Sequence, residues 1–173
     1  MIQSFENLVP VVHPDAYVHP MSTLIGQVHV GAFSSIWPGT VLRADMAPIF
    51  IGDNTSIQDG TIAHVTLNWS ETIIGNRVTV GHRVILHGCK VEDECLIGMG
   101  SILLDNVVIG KGSLVAAGSV VTVGTQIPPN SLVMGTPAKV IRPIKDRELQ
   151  MISEGWKIYT DYAKRFNAQA ANS

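Results

Sequence analysis

An aliphatic residue recurs at every sixth position through most of the chain. The series runs Val30, Ile36, Leu42; Ile51, Ile57, Ala63; Ile74, Val80, Leu86; Val91, Ile97, Leu103; and Ile109, Val115, Val121. Glycine often follows the aliphatic residue, as in Ile51-Gly52, Ile74-Gly75 and Ile97-Gly98, and the residue before it tends to be small or β-branched. A short fixed period marks a solenoid, and a hexapeptide period marks a parallel β-helix whose aliphatic beat points inward. Three beats make one triangular coil of about 18 residues. The beat is weaker but traceable from Val12 through Val18 and Leu24.

The beat is interrupted around Arg43–Pro48 and again around His64–Glu71, and it slips by one residue between Leu86 and Val91. Interruptions of a regular coil are expected to be loops, and loops tend to carry sites. After Val123 the pattern changes. Ile127-Pro128-Pro129-Asn130 predicts a turn, because proline lacks the N–H that a strand ladder needs. From Asp146 the apolar spacing becomes three and four, through Leu149, Ile152, Trp156, Tyr159, Ala163 and Phe166. This predicts an amphipathic α-helix, N-capped by Asp146, that covers solenoid surface or a neighbouring subunit. The tail beyond Asn167 is small and polar and is expected to fray. The chain thus reads as one all-β domain, with a β-helix over residues 1–143 and a C-terminal helix and tail over residues 144–173.

Composition narrows the function classes. Of the 173 residues, 46% are hydrophobic but only 6% are aromatic, which suits thin layers of Val, Ile, Leu and Ala. A formal net charge of −2 gives no electrostatic case for nucleic acid or an anionic membrane. No apolar run approaches the roughly 18 residues of a membrane span. Met1–Pro10 has neither a basic start nor a long apolar stretch, so it does not read as a signal peptide, and a cytoplasmic location is the default expectation. Cys89 and Cys95 read as two small buried side chains.

Two groups of residues stand out as candidate chemistry. His13, His19 and His29 have no acidic or cysteine partner nearby and read as surface or turn residues. His64, His82 and His87 differ. His82 lies 18 positions beyond His64, the length of one coil, and His87 follows five later. Adjacent coils lie about 4.8 Å apart. That suits neighbouring imidazoles sharing one ion at metal–nitrogen distances of about 2.0–2.1 Å, although the loop between His64 and His82 bears on whether they stack. His82 and His87 belong to different faces, so a shared ion would lie between two subunits packed side by side. Three faces then favour a closed cyclic trimer. The alternative is three outward polar residues with no common role. The second group is Arg43 and Asp45, with Gln58 and Asp59. Arg43, Asp45 and Asp59 suit a structural ion pair between coils or subunits. Gln58, one beat before His64, suits a neutral amide that orients a metal-held water.

Leu42-Arg43-Ala44-Asp45, Ile57-Gln58-Asp59-Gly60, His64, Gly81-His82 and Leu86-His87-Gly88-Cys89 together resemble the γ-class carbonic anhydrase family, over about Val12 to Phe166. The resemblance implies a left-handed parallel β-helix, a C-terminal helix packed along it, and a homotrimer. It implies zinc, or Fe2+ or Co2+, at each subunit interface, with His64 and His87 from one chain and His82 from its neighbour. It places Arg43, Asp45 and Asp59 in the interface ion-pair network, Gln58 on the hydroxide, and Tyr159 near the site. The implied reaction is reversible hydration of CO2 to bicarbonate. The chain departs from the family pattern in having Met46 where the best-characterised type has Glu, and in a short Val65–Thr72 segment whose only acid is Glu71. Slow or buffer-dependent proton export is the expected consequence. A hexapeptide acyltransferase or other acyl-CoA enzyme, and a trimeric scaffold with a structural metal, are the rival readings. Gly135-Thr136-Pro137-Ala138-Lys139 and the beat itself are shared with such acyltransferases.

Overall fold

Each beat of the sequence becomes a short strand. Ser56–Ile57, Thr79–Val80, Leu96–Ile97 and Leu114–Val115 stack in parallel register, with Ile57 over Val80 over Ile97 over Val115. The beat residues lie at the centre of one buried core that runs the length of the chain. The computed structural model describes residues 1–170 and is a parallel β-solenoid of about seven turns with one C-terminal helix, consistent with a left-handed β-helix of hexapeptide repeats.

Three stacks of strands form the faces. One runs from Tyr17–Val18 through Ser56–Ile57 to Ser131–Gly135 and closes with the antiparallel strand Ala138–Pro143. A second contains Ile62–His64, Ile85–His87, Ile102–Leu103 and Val120–Val121. A third contains Thr72–Ile74, Lys90–Val91, Val108–Ile109 and Gln126–Ile127. The second and third faces are joined where Thr23–Val30 and Val41–Ile51 run on around the corner between them. One corner is stitched by side chains: Asp53 Oδ1 accepts from the Ala32 N–H, Asn76 Oδ1 from the Asp53 N–H, and Asp93 Oδ1 from the Asn76 N–H.

The first interruption of the beat is not a loop. Arg43–Pro48 lies inside the 11-residue strand Val41–Ile51, which pairs with Thr23–Val30 and shifts register between Gly26 and Val28. The two chains stay hydrogen-bonded as they bend, so the extra residues remain extended. Gly26 makes the bend fit, because a Cβ there would lie 2.3 Å from the Ala44 carbonyl oxygen. Strand alternation then buries Leu42 and Ala44 and turns Arg43 and Asp45 outward together. The second interruption is a loop, from Val65 to Glu71.

The helix Asp146–Ala170 lies along the first face. Ile152 packs with Leu114 and Leu132, while Ala163 and Tyr159 pack on Tyr17 and Trp37. The N-cap is Lys145 rather than the expected Asp146. Leu149 N–H donates to the Lys145 carbonyl, and Glu148 accepts from the Lys145 N–H at 2.9 Å while holding Arg142 through both carboxylate oxygens. The helix also continues past Asn167, where fraying was expected. Phe166 stacks near Tyr17 and Trp37, and Asn167 Nδ2 reaches the Ala16 carbonyl at 3.5 Å. Residues 171–173 of the expected tail fall outside the described residues. Among the described residues no helix is long and apolar enough to cross a membrane.

Candidate metal centre

Ile62–His64 and Ile85–His87 are neighbours in the second face, in a register that sets His87 directly against His64. The coil between them is 23 residues long because it contains the Val65–Glu71 loop. An 18-residue spacing therefore does not stack His82 on His64; the loop hands that place to His87. The two rings meet edge to face with centroids 5.4 Å apart, and His64 Nδ1 lies 3.4 Å from His87 Nε2.

The far nitrogen of each ring is held by a carboxylate. His64 Nε2–H donates to Asp45 Oδ1 at 3.0 Å, and Asp45 also takes the Arg43 guanidinium. His87 Nδ1–H donates to Asp105 Oδ2 at 3.0 Å, and Asp105 Oδ1 accepts from Ser70 Oγ at 2.5 Å. Burial works to raise the Asp45 carboxyl, but hydrogen bonds from Arg43 and His64 outweigh it and hold it below the usual carboxylate range. Burial is likewise outweighed at Asp105, by Ser70, Thr66 and His87. Ionised carboxylates only accept, so the protons sit on His64 Nε2 and His87 Nδ1. In the neutral rings, the two nitrogens that face each other are then both lone pairs.

A second cluster lies at the other end of the same strands. His82, in the turn before Ile85–His87, donates from Nδ1 to Asp59 Oδ2 at 3.0 Å, which leaves its Nε2 free on an exposed side chain. Gln58 stands beside it: its N–H donates to the Val80 carbonyl. Gln58 is buried, and among the described residues its side-chain amide has no hydrogen-bond partner. Tyr159 joins this cluster from the helix. Burial, and then the Asp59 charge, push its phenol above the ordinary value, and its ring sits 5.8 Å from that of Trp37. The chain thus brings Arg43, Asp45, His64 and His87 together at one edge of the second face. It brings Gln58, Asp59, His82 and Tyr159 together at the other, and it does not bring the two sets to each other. Among the described residues, no group of three or more His, Cys, Asp or Glu in one chain is placed to hold a metal ion.

The donor chemistry nevertheless suits a nitrogen-ligated divalent ion such as zinc. A ligating imidazole ordinarily gives its other N–H to a carboxylate, and each of these three rings does so. Cys89 and Cys95 are free and buried, and burial pushes both thiols up to about 12, which leaves them out of the donor set. His13 and His19 each accept a turn N–H through Nδ1, and His29 stacks on Phe50. Asp105 and Ser70 were not singled out from the sequence. Asp105 could have been, since it lies one coil of 18 residues beyond His87. Beside His87 runs an open groove of about 660 Å³, lined by Met46, Pro48, Trp69, Ser70, Gly88 and Lys90 among others.

Comparison with known proteins agrees with this architecture. The bacterial transferase hexapeptide (six repeats) family matches residues 88–122. The chain is 44% identical over 167 residues to gamma carbonic anhydrase 1, mitochondrial, of Arabidopsis thaliana, covering 94% of this chain and 61% of that protein's length. It is 43% identical over 162 residues to the carnitine operon protein CaiE of Escherichia coli K12, covering 94% of this chain and 82% of CaiE. A crystal structure of a proposed acetyltransferase from Bacillus cereus superposes with a TM-score of 0.95 at 38% identity, covering 97% of both chains. These likenesses first define a hexapeptide-repeat solenoid protein. Within that class, the chain belongs to the γ-class carbonic anhydrase family.

Proposed function

We propose that this protein is a γ-class carbonic anhydrase-type metalloenzyme that catalyses reversible hydration of CO2, with its metal site completed only when chains assemble. The observation that carries the reading is the pair of facing lone pairs on His64 Nδ1 and His87 Nε2, 3.4 Å apart. Two acceptors cannot hydrogen-bond each other, and a shared cation relieves that contact. The third donor is His82 of a neighbouring copy. The surface between the two half-sites supports this arrangement, because the outward residues Val41, Ile62, Ile85, Ile102 and Val120 form an apolar ladder across it. A second copy laid on that ladder brings one edge against the other, and a cyclic trimer closes the arrangement.

A divalent ion such as zinc held by three neutral imidazoles supplies a Lewis acid that lowers the pKa of water toward about 7. The chain's own residues do the rest. Asp45, Asp105 and Asp59 fix the three rings. Arg43 keeps Asp45 ionised. The free amide of Gln58 orients the attacking water, and Tyr159 closes that side against solvent. Proton export rests on little: Met46 is exposed where an acid would serve, and Glu71 is the acid in the groove wall. The test is stopped-flow CO2 hydration on zinc- or Fe2+-loaded protein beside His82→Ala. Turnover that rises with buffer concentration and is lost in the variant supports the reading. Inactivity of the fully metallated protein contradicts it. The groove beside His87 is far larger than CO2 and favours a second reading, acyl transfer or hydrolysis of an acyl substrate, for which the same preparation would be assayed with acyl thioesters.

A further inference from the structure

The Val65–Glu71 loop is tied to the candidate ligand His87 by a chain of three contacts. Thr66 N–H donates to Ser70 Oγ at 3.0 Å, Ser70 Oγ–H donates to Asp105 Oδ1 at 2.5 Å, and His87 Nδ1–H donates to Asp105 Oδ2 at 3.0 Å. Asp105 is buried, and its two oxygens divide the work, one on the loop and one on the ring. The backbone is shaped around this contact. Gly88, next to His87, has φ +60, and a Cβ there would lie 2.1 Å from Ser70 Oγ and 2.3 Å from Asp105 Oδ1. The same loop supplies Asn68, Trp69, Ser70 and Glu71 to the wall of the groove.

We propose that Asp105 is a positioning residue for His87 and that Ser70 latches the Val65–Glu71 loop to the same carboxylate, so that filling the ligand position of the ring and closing the loop favour each other. The proposal deepens the metal reading and rests on it for the donor role. Asp105 fixes the Nδ1–H tautomer of His87 and thereby aims the Nε2 lone pair at His64. Linkage makes the effect reciprocal: an ion that binds the fixed ring must also hold the loop closed. A molecule lodged in the groove presses on the same wall, which couples groove occupancy to the ligand.

The test compares wild type with Asp105→Ala, Ser70→Ala and Gly88→Ala. Asp93→Ala serves as control, since Asp93 Oδ1 also accepts across adjacent coils, from the Asn76 N–H, at a corner away from the histidines. Histidine 15N spectra of metal-free protein above pH 7.5 report the tautomer of His87, competition titration gives zinc affinity, and hydrogen exchange follows the amides of residues 66–70. Wild type is expected to hold His87 as the Nδ1–H form and to protect the loop further on zinc addition. Asp105→Ala should lose the tautomer preference and about 10- to 100-fold in zinc affinity. Ser70→Ala should keep the tautomer but lose the zinc-induced protection of the loop, and Gly88→Ala should do the same by forcing Ser70 and Asp105 apart. Asp93→Ala should lower the melting temperature and leave all three readouts in place. Folded Asp105→Ala protein with an unchanged His87 tautomer, or Ser70→Ala protein with unchanged zinc-induced protection, would overturn the proposal. Wild type that takes up no zinc would overturn the metal reading and the donor role with it, while the tautomer comparison would still decide whether Asp105 positions His87.

Discussion

His64 and His87 stand 23 residues apart in the chain and, as neutral rings, face each other across 3.4 Å, lone pair to lone pair, with the far nitrogen of His64 on half-buried Asp45 and that of His87 on buried Asp105. Placing two acceptors so close costs free energy unless something sits between them. A bound metal removes that cost only while both rings are neutral.

Metal retention should therefore depend on pH in one direction. Ligating imidazoles must shed a proton to bind, so zinc should be held above the free histidine pKa of about 6.5 and released as pH falls through and below it. Metal content after dialysis across pH 8 to 5 measures this. Full retention at pH 5 would point to a different ligand set.

Cys89 and Cys95 should behave as packing residues. Both are buried, with thiols pushed up to about 12 by burial, so at pH 8 almost no thiolate is present. A disulfide reagent should find no reactive thiol in native protein and two in denaturant. Rapid modification of the native protein would contradict the placement of these residues.

The helix start should weaken in acid. Hydrogen bonds from Arg142, and then from the Lys145 N–H, lower the Glu148 carboxyl from 4.5 to about 2. A carboxyl depressed on folding adds stability that is present above its unfolded pKa and is lost as pH falls through the folded one. The melting temperature of wild type should exceed that of Glu148→Gln at pH 6, and the gap should close between pH 4.5 and about 2. An equal gap at every pH would remove this pairing from the account.

The coils should be sensitive to truncation at the beat. Leu86 is fully buried, and Leu86→Ala should cost about 2–5 kcal/mol through lost apolar contact and the cavity left behind. Ile102→Ala, one coil on but outward, should cost much less in the isolated chain. Denaturant titration separates the two.

The coils were legible because the six-residue beat reports the inward position directly: Ile57, Val80, Ile97 and Val115 fall in one column as their spacing implies. What the beat does not encode is length between beats. An 18-residue count would set His82 beside His64, and the sequence left that stacking open because of the intervening loop; the Val65–Glu71 loop lengthens the coil and gives the place to His87, the pairing that the family resemblance implied. Likewise, Arg43–Pro48 broke the period without leaving the sheet, since pairing with Thr23–Val30 holds it extended. The helix was legible from its spacing, but its first residue was not. Glu148 reaches back to Lys145, a contact that depends on Arg142 having been brought there by the closing hairpin. Asp105 and Ser70 escaped notice because their partner, His87, is met only across coils.

The central claim is that one chain holds two half-sites that complete each other only between copies. Co-expression of His82→Ala with His87→Ala, followed by purification of mixed oligomers and measurement of bound zinc, tests it most directly. Each variant alone lacks a donor at every site. In the mixture, a junction where the His82→Ala chain supplies His64 and His87 and the His87→Ala chain supplies His82 is intact, so random assembly should restore about a quarter of the sites. Recovery near that fraction is the result expected here. Mixed oligomers as empty as either parent, beside wild type that binds zinc fully, would contradict the account and place the whole site within one chain.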